Sequence, residues 1–237
     1  MNRVLEISRM QVAYGKLLRV SDLSLTLKSG TLLGLTGPNG GGKTTFMRAL
    51  AGLQPLQQGT CTWSGGEEKS LGLQDCWYAG ALGEAFEDLT VQENLDFAAL
   101  VLQLSPQDLV TRRETLLRTW ELEDHRDRLV RDLSTGLKKR CSLALGLLLP
   151  RELILLDEPF NGLDSQGLSI LREVLKYLKS RGRIIIVASH ILTPLEDLAD
   201  RWGWMAEGVL EMDQGKITEL LKAAGEKSHT QGLSWID

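Results

Sequence analysis

The sequence predicts an α/β fold: a mostly parallel sheet covered on both faces, with helices inserted partway along the 237-residue chain. Three observations predict it. Leu153-Ile154-Leu155-Leu156 and Ile184-Ile185-Ile186-Val187-Ala188 are unbroken apolar runs, the pattern of strands buried on both faces. Leu168, Leu171, Leu175 and Leu178 lie between them at helical spacing, so strand and helix alternate as in a parallel sheet. A third apolar run, Thr31-Leu32-Leu33-Gly34-Leu35-Thr36, passes through a glycine-rich segment into an expected helix over 44–51.

The other elements follow in chain order. Residues 3–36 alternate short apolar runs with turn residues. Leu23-Ser24-Leu25-Thr26-Leu27 alternates strictly, marking a half-exposed strand that turns at Lys28-Ser29-Gly30. Strands are expected near 59–63 and 71–79. From about 84 to 150 the period becomes helical. Thr90 reads as an N-cap whose capping box is completed by Glu93. Pro106 opens a helix with Leu109, Leu116, Leu117 and Trp120 on one side and arginines on the other. A third helix runs from Ser134 to about Leu149. Beyond Ala188, two short strands are expected around Gly208, then a helix over 218–224 and a loose tail.

Composition narrows the function classes. A net charge of −4 argues against a nucleic-acid-binding protein, which needs a basic face. Cys61, Cys76 and Cys141 are scattered without metal-ligand spacing, as suits free thiols in a reducing compartment. The N-terminus has no secretory apolar region, and no apolar stretch approaches the roughly 20 residues that span a bilayer. A cytoplasmic location is expected, with any membrane role exerted through a partner.

The chemistry is concentrated in Gly37-Pro38-Asn39-Gly40-Gly41-Gly42-Lys43-Thr44-Thr45, which fits G-x-x-x-x-G-K-[ST] between a strand and a helix. Glycines let successive backbone N–H groups turn toward one anion, and the helix N-terminus adds partial positive charge there. Lys43 is placed to bridge the β- and γ-phosphates of a nucleotide, and Thr44 to hold Mg²⁺ through its hydroxyl. Asp157 ends a buried strand, where a carboxylate reaches the phosphate loop and can hold Mg²⁺. Glu158, pointing the other way, could activate the attacking water; alternatively, the acidic pair caps the next helix. His190 ends the following strand, where it could read a γ-phosphate.

The order of these motifs resembles the nucleotide-binding subunit of ATP-binding cassette (ABC) transporters, most like the single-domain cassettes of bacterial exporters. Leu133-Ser134-Thr135-Gly136-Leu137 is similar to the family signature Leu-Ser-Gly-Gly-Gln, and Asn161-Gly162-Leu163-Asp164 to its D-loop. Tyr14 falls where the family stacks an aromatic ring on adenine. The resemblance covers residues 1–222 and implies a P-loop NTPase core with an N-terminal antiparallel β subdomain and an inserted α-helical subdomain at about 84–150. It implies an ATPase using ATP and Mg²⁺, on the cytoplasmic face of the plasma membrane. Ser134, Gly136 and Asp164 would face the nucleotide of a second copy in a head-to-tail dimer docked on transmembrane subunits. Phe86, Leu89, Trp77 and Tyr78 are candidates for that docking, or are simply core. A soluble ATPase acting as a mechanical switch is the alternative.

Two departures stand out. Thr135 and Leu137 replace a glycine and the glutamine of the signature. The window Gly80-Ala81-Leu82-Gly83-Glu84, where the family places a Mg²⁺-sensing glutamine, holds none; Gln74 falls earlier, and Glu84 is a candidate substitute. Slow basal hydrolysis is the expected consequence.

Overall fold

The computed structural model of the chain describes residues 3–15, 17–64, 69–72, 75–80 and 85–212. Gln74, Glu84, the helix expected over 218–224 and the tail lie outside these residues.

Two sheets carry the fold. β1 (Val4–Tyr14), β2 (Leu17–Lys28), β4 (Gln58–Ser64) and β5 (Lys69–Ser70) form an antiparallel sheet in the order β2-β1-β4-β5. β3 (Leu32–Thr36), β6 (Cys76–Ala79), β7 (Leu153–Asp157), β8 (Ile184–Ala188), β9 (Arg201–Ala206) and β10 (Val209–Met212) form the second, ordered β10-β9-β3-β8-β7-β6. Its pairings are parallel except for β9 with β10.

β3, β7 and β8 are buried along their whole length, as their unbroken apolar runs require. Successive side chains feed opposite faces. Leu33, Leu35, Leu153, Leu155, Ile184 and Ile186 pack with Phe46 and Met47 of α1 (Lys43–Leu50) and with Leu5 and Ile7 of the antiparallel sheet. Leu32, Ile154, Leu156, Ile185 and Val187 pack with Leu171 and Leu175 of α5 (Ser165–Ser180) and with the helical insertion.

That insertion comprises α2 (Val91–Val101), α3 (Pro106–Thr119) and α4 (Thr135–Gly146). The Thr90–Glu93 capping box forms as the sequence suggests. Ser105 caps α3, with Pro106 at its first position. Leu116, Leu117 and Trp120 are buried, but the opposite side of α3 is not simply solvated. The Arg112 Nη1 donates to the Leu148 carbonyl at 2.7 Å, and Arg113 pairs with Asp96 of α2 at 2.8 Å. α4 stops at Gly146 rather than near Leu149. Its last turn tightens through Leu147 N–H to Ala144 O and Leu148 N–H to Leu145 O, and Arg112 takes up a carbonyl the helix leaves free.

Asn94 is the polar centre of the insertion. It is 1% exposed, accepts from the Phe86 N–H at 2.7 Å, and donates to the carbonyls of Phe86, Leu89 and Thr90 at 2.9, 3.3 and 2.9 Å. Residues 89–92 are in turn bonded through backbone to 126–130. The strand of chain leading into Ser134 is therefore fastened to the one carrying Phe86.

Candidate active site

A cavity of about 440 Å³ opens at the carboxyl ends of β3 and β7, lined by Tyr14, Arg19, Asn39 to Thr45, Asp157, Glu158 and His190. The loop from Gly37 to Gly42 links β3 to α1, and its shape depends on missing side chains. Gly37 and Gly42 have φ of 138° and 111°, and a Cβ would lie 2.1 Å from the Met205 carbonyl oxygen and 2.5 Å from that of Arg19, respectively. The β9–β10 turn closes against the loop: Gly208 N–H donates to Gly41 O at 3.0 Å, and Ser21 N–H to Gly208 O at 2.8 Å.

Lys43 is 7% exposed, and its ammonium donates to the carbonyls of Gly37 and Pro38 at 2.7 and 3.0 Å. Burial pushes its pKa down, while Glu158 and Asp157 oppose that shift. The Thr44 hydroxyl donates to Asp157 Oδ2 at 2.7 Å, so two hard oxygen ligands stand together. This donor set suits Mg²⁺, which is bound by one or two carboxylates along with waters and phosphates. The Tyr78 hydroxyl lies 3.4 Å from the same Asp157 oxygen, and Trp77 is buried, its ring packed against Gly146. Of the four docking candidates, Trp77 is core, Tyr78 faces the carboxylate, Leu89 is half-buried and Phe86 is exposed.

Glu158 does not point away from Asp157, as strand alternation suggests. Its φ of 49° is left-handed, and its N–H donates to Ala188 O at 2.8 Å. The strand ends there, and the turn swings Glu158 into the cavity beside Asp157. Non-glycine residues held in this region recur at functional sites. The pair does not cap a helix either: α5 begins at Ser165 and is capped by Asp164. Glu158 Oε1 lies 3.1 Å from His190 Nε2, in a close pair without hydrogen-bond geometry. No described group donates to that buried oxygen.

Ser134, Gly136 and Asp164 are not in this cavity. Ser134 caps α4 and accepts from Leu137 N–H at 3.3 Å. Gly136 lies beside the Asp164 carboxylate. Arg140, 3% exposed, donates to both Asp164 oxygens at 2.6 and 2.7 Å, and Gly167 N–H donates at 2.8 Å. These contacts hold the Asp164 carboxyl below its ordinary pKa. The three residues thus form a second cluster, built on the start of α4 and the start of α5. Sequence reasoning omitted Arg140, though its place one helical turn beyond Gly136 was a usable signal, and Arg19, for which there was none.

A separate apolar groove of about 280 Å³ crosses the insertion, lined by Phe86, Asn94, Phe97, Ala98, Val101, Leu102, Leu145 and Gly146. Phe86 and Phe97 meet edge to face, centroids 5.2 Å apart, yet remain 55% and 44% exposed.

A family model described as ABC transporter matches residues 20–161. This chain belongs to the ABC transporter family. The lantibiotic transport ATP-binding protein SrtF of Streptococcus pyogenes is 31% identical over 211 residues, spanning 89% of this chain and 90% of that protein. The ABC transporter ATP-binding protein NatA of Bacillus subtilis is 32% identical over 223 residues, spanning 92% and 88%. A solved ATP-binding subunit of an ABC transporter superposes with a TM-score of 0.80 at 25% identity, covering 92% of this chain and 93% of that one. A nucleotide-free ATP-binding cassette with a TM-score of 0.77 and 19% identity shares the fold. The antiparallel sheet, the mixed sheet and the helices of this ABC chain therefore have the arrangement expected from its motifs.

Proposed function

We propose that this chain binds and hydrolyses MgATP and powers a membrane transporter. The observation that carries the proposal is the convergence of Lys43, the Thr44–Asp157 pair and the Glu158–His190 pair on one cavity. An incoming triphosphate replaces the two loop carbonyls as partners of the Lys43 ammonium. Tyr14, 45% exposed at the end of β1, offers its ring to adenine. Thr44 and Asp157 would hold Mg²⁺, which would supply positive charge against the phosphates. The Glu158 carboxylate takes a proton from the attacking water, and His190, close beside it, meets the γ-phosphate.

The second cluster serves another subunit's nucleotide. The helix start at Ser134 and Gly136 is an anion-binding element, yet it has no anion partner within its own chain's cavity. A head-to-tail dimer supplies one, with Asp164 beside it at the seam. Residues 1–222 act as one nucleotide-binding domain with the helical subdomain at about 84–150. Among the described residues no helix is long and apolar enough to cross a membrane. Membrane attachment therefore falls to a permease docked in the Phe86–Phe97 groove.

The test uses Glu158→Gln and Ser134→Arg. Glu158→Gln should bind ATP, cease turnover and accumulate dimer by light scattering; normal turnover removes Glu158 as the base. Ser134→Arg should bind ATP as a monomer and stay monomeric; an intact ATP-dependent dimer removes the trans role.

A further inference from the structure

We propose that Arg19 is a nucleotide-binding residue, contacting phosphate oxygens that ATP and ADP share. The proposal rests on the nucleotide assignment above and extends it to a residue outside every motif.

Three observations carry it. Arg19 lines the cavity together with Tyr14 and the phosphate loop. Its backbone is anchored there, since its carbonyl oxygen packs against Gly42, 2.5 Å from where a Cβ would stand, and also against Gly208. Finally, Arg19 is a half-buried residue, and among the described residues its guanidinium has no hydrogen-bond or ion-pair partner, unlike those of Arg113, Arg126, Arg140 and Arg172. An always-charged planar group, partly withdrawn from water, is best matched by a phosphate.

Position selects which phosphate. Thr44, Asp157, Glu158 and His190 mark the γ-phosphate and metal end of the cavity. Tyr14 marks the base end, and it pairs with Leu17 in the hairpin that carries Arg19. Arg19 therefore stands between the base and the loop, level with the α- and β-phosphates. Asp157 and Glu158 stand at the other end, the first with the Thr44 hydroxyl and the second with His190, and neither pairs with Arg19.

Calorimetric titration of wild type, Arg19→Ala, Arg19→Gln and Arg19→Lys with ATP, ADP and adenosine tests this, with unchanged thermal melting as the check of folding. Loss of one charge-assisted contact should weaken ATP and ADP by a common factor of about tenfold. Adenosine should be unaffected, and Lys should restore part of the loss. The weakening should shrink in high salt, as for a partly exposed ion pair. Unchanged ATP and ADP affinities in both Ala and Gln variants overturn the proposal. So does a loss confined to ATP, which would put Arg19 on the γ-phosphate. Wild-type protein that binds neither nucleotide refutes the site assignment itself, a distinct result.

Discussion

Replacing Asn94 by alanine tests whether the groove of Phe86 and Phe97 is held by a single buried amide. The side chain is 1% exposed and makes four hydrogen bonds, but they are not equal. The Thr90 carbonyl also receives the Asn94 backbone N–H, the Leu89 carbonyl receives Val130 N–H, and the Phe86 carbonyl receives Leu89 N–H at 3.3 Å. Those three acceptors keep a partner after truncation. The Phe86 N–H has no other described acceptor and is left bare. Leaving this part-buried donor without its acceptor costs about 1–3 kcal/mol, and the lost net bonds to the carbonyls add roughly 1 kcal/mol. The expected destabilisation is about 3 kcal/mol. It is read as a lowered urea midpoint at constant slope. Asn94→Asp should be at least as harmful, since a carboxylate would face three carbonyl oxygens that the amide now satisfies. A loss under about 0.5 kcal/mol in the alanine variant would refute the reasoning, because the Phe86 segment would then hold its place without the clip.

Lys43→Ala should abolish ATP binding in titration calorimetry while leaving the fold intact; unchanged affinity would separate the glycine loop from phosphate. Phe97→Glu should preserve ATP binding but eliminate co-purification of a multi-span membrane protein from detergent extracts, and undiminished recovery would move docking elsewhere. Asp164→Asn keeps the cap acceptor for Gly167 but removes the charge that Arg140 pairs with. Because the folded pKa of Asp164 is depressed, its contribution is complete above the ordinary carboxylate value and is lost as pH falls through the lower folded one. The variant should therefore be less stable near neutral pH, and this difference should shrink in urea melts taken down to roughly pH 3. A pH-independent difference would exclude the charge as the cause.

The strands and caps were legible because their causes are local. Unbroken apolar runs became β3, β7 and β8, and Thr90 with Glu93 made its capping box within four residues. Asp157 and the phosphate loop were legible for the same reason, as a strand end and a turn composition. The direction of Glu158, though not its place beside the phosphate loop, was misread because alternation governs only residues inside a strand. Its left-handed turn is fixed by a bond to Ala188 on a neighbouring strand, which no local pattern encodes. Periodicity set the arginines of α3 opposite its apolar side but gave them no partners, and Arg112 reaches a carbonyl at the end of another helix. Trp77 read equally as a docking residue or as core, and what decides for core is Gly146 from a distant helix leaving room for the ring. Arg19 carries no motif at all, and only the approach of its backbone to Gly42 shows where it stands.

The β9–β10 turn gives the phosphate loop a dependence on synthesis order. The loop occupies residues 37–42, but β3, which leads into it, is flanked by β8 and β9, and Gly208 completes its backing. On a ribosome making about 5–20 residues per second, these late partners emerge long after the glycines. Until residue 208 has cleared the exit tunnel, the nascent chain has no finished phosphate cradle. ATP therefore cannot act as a folding ligand for the emerging chain. It becomes a stabilising ligand only once residue 208 has joined the loop, which ties nucleotide occupancy to chains in which both segments are in place.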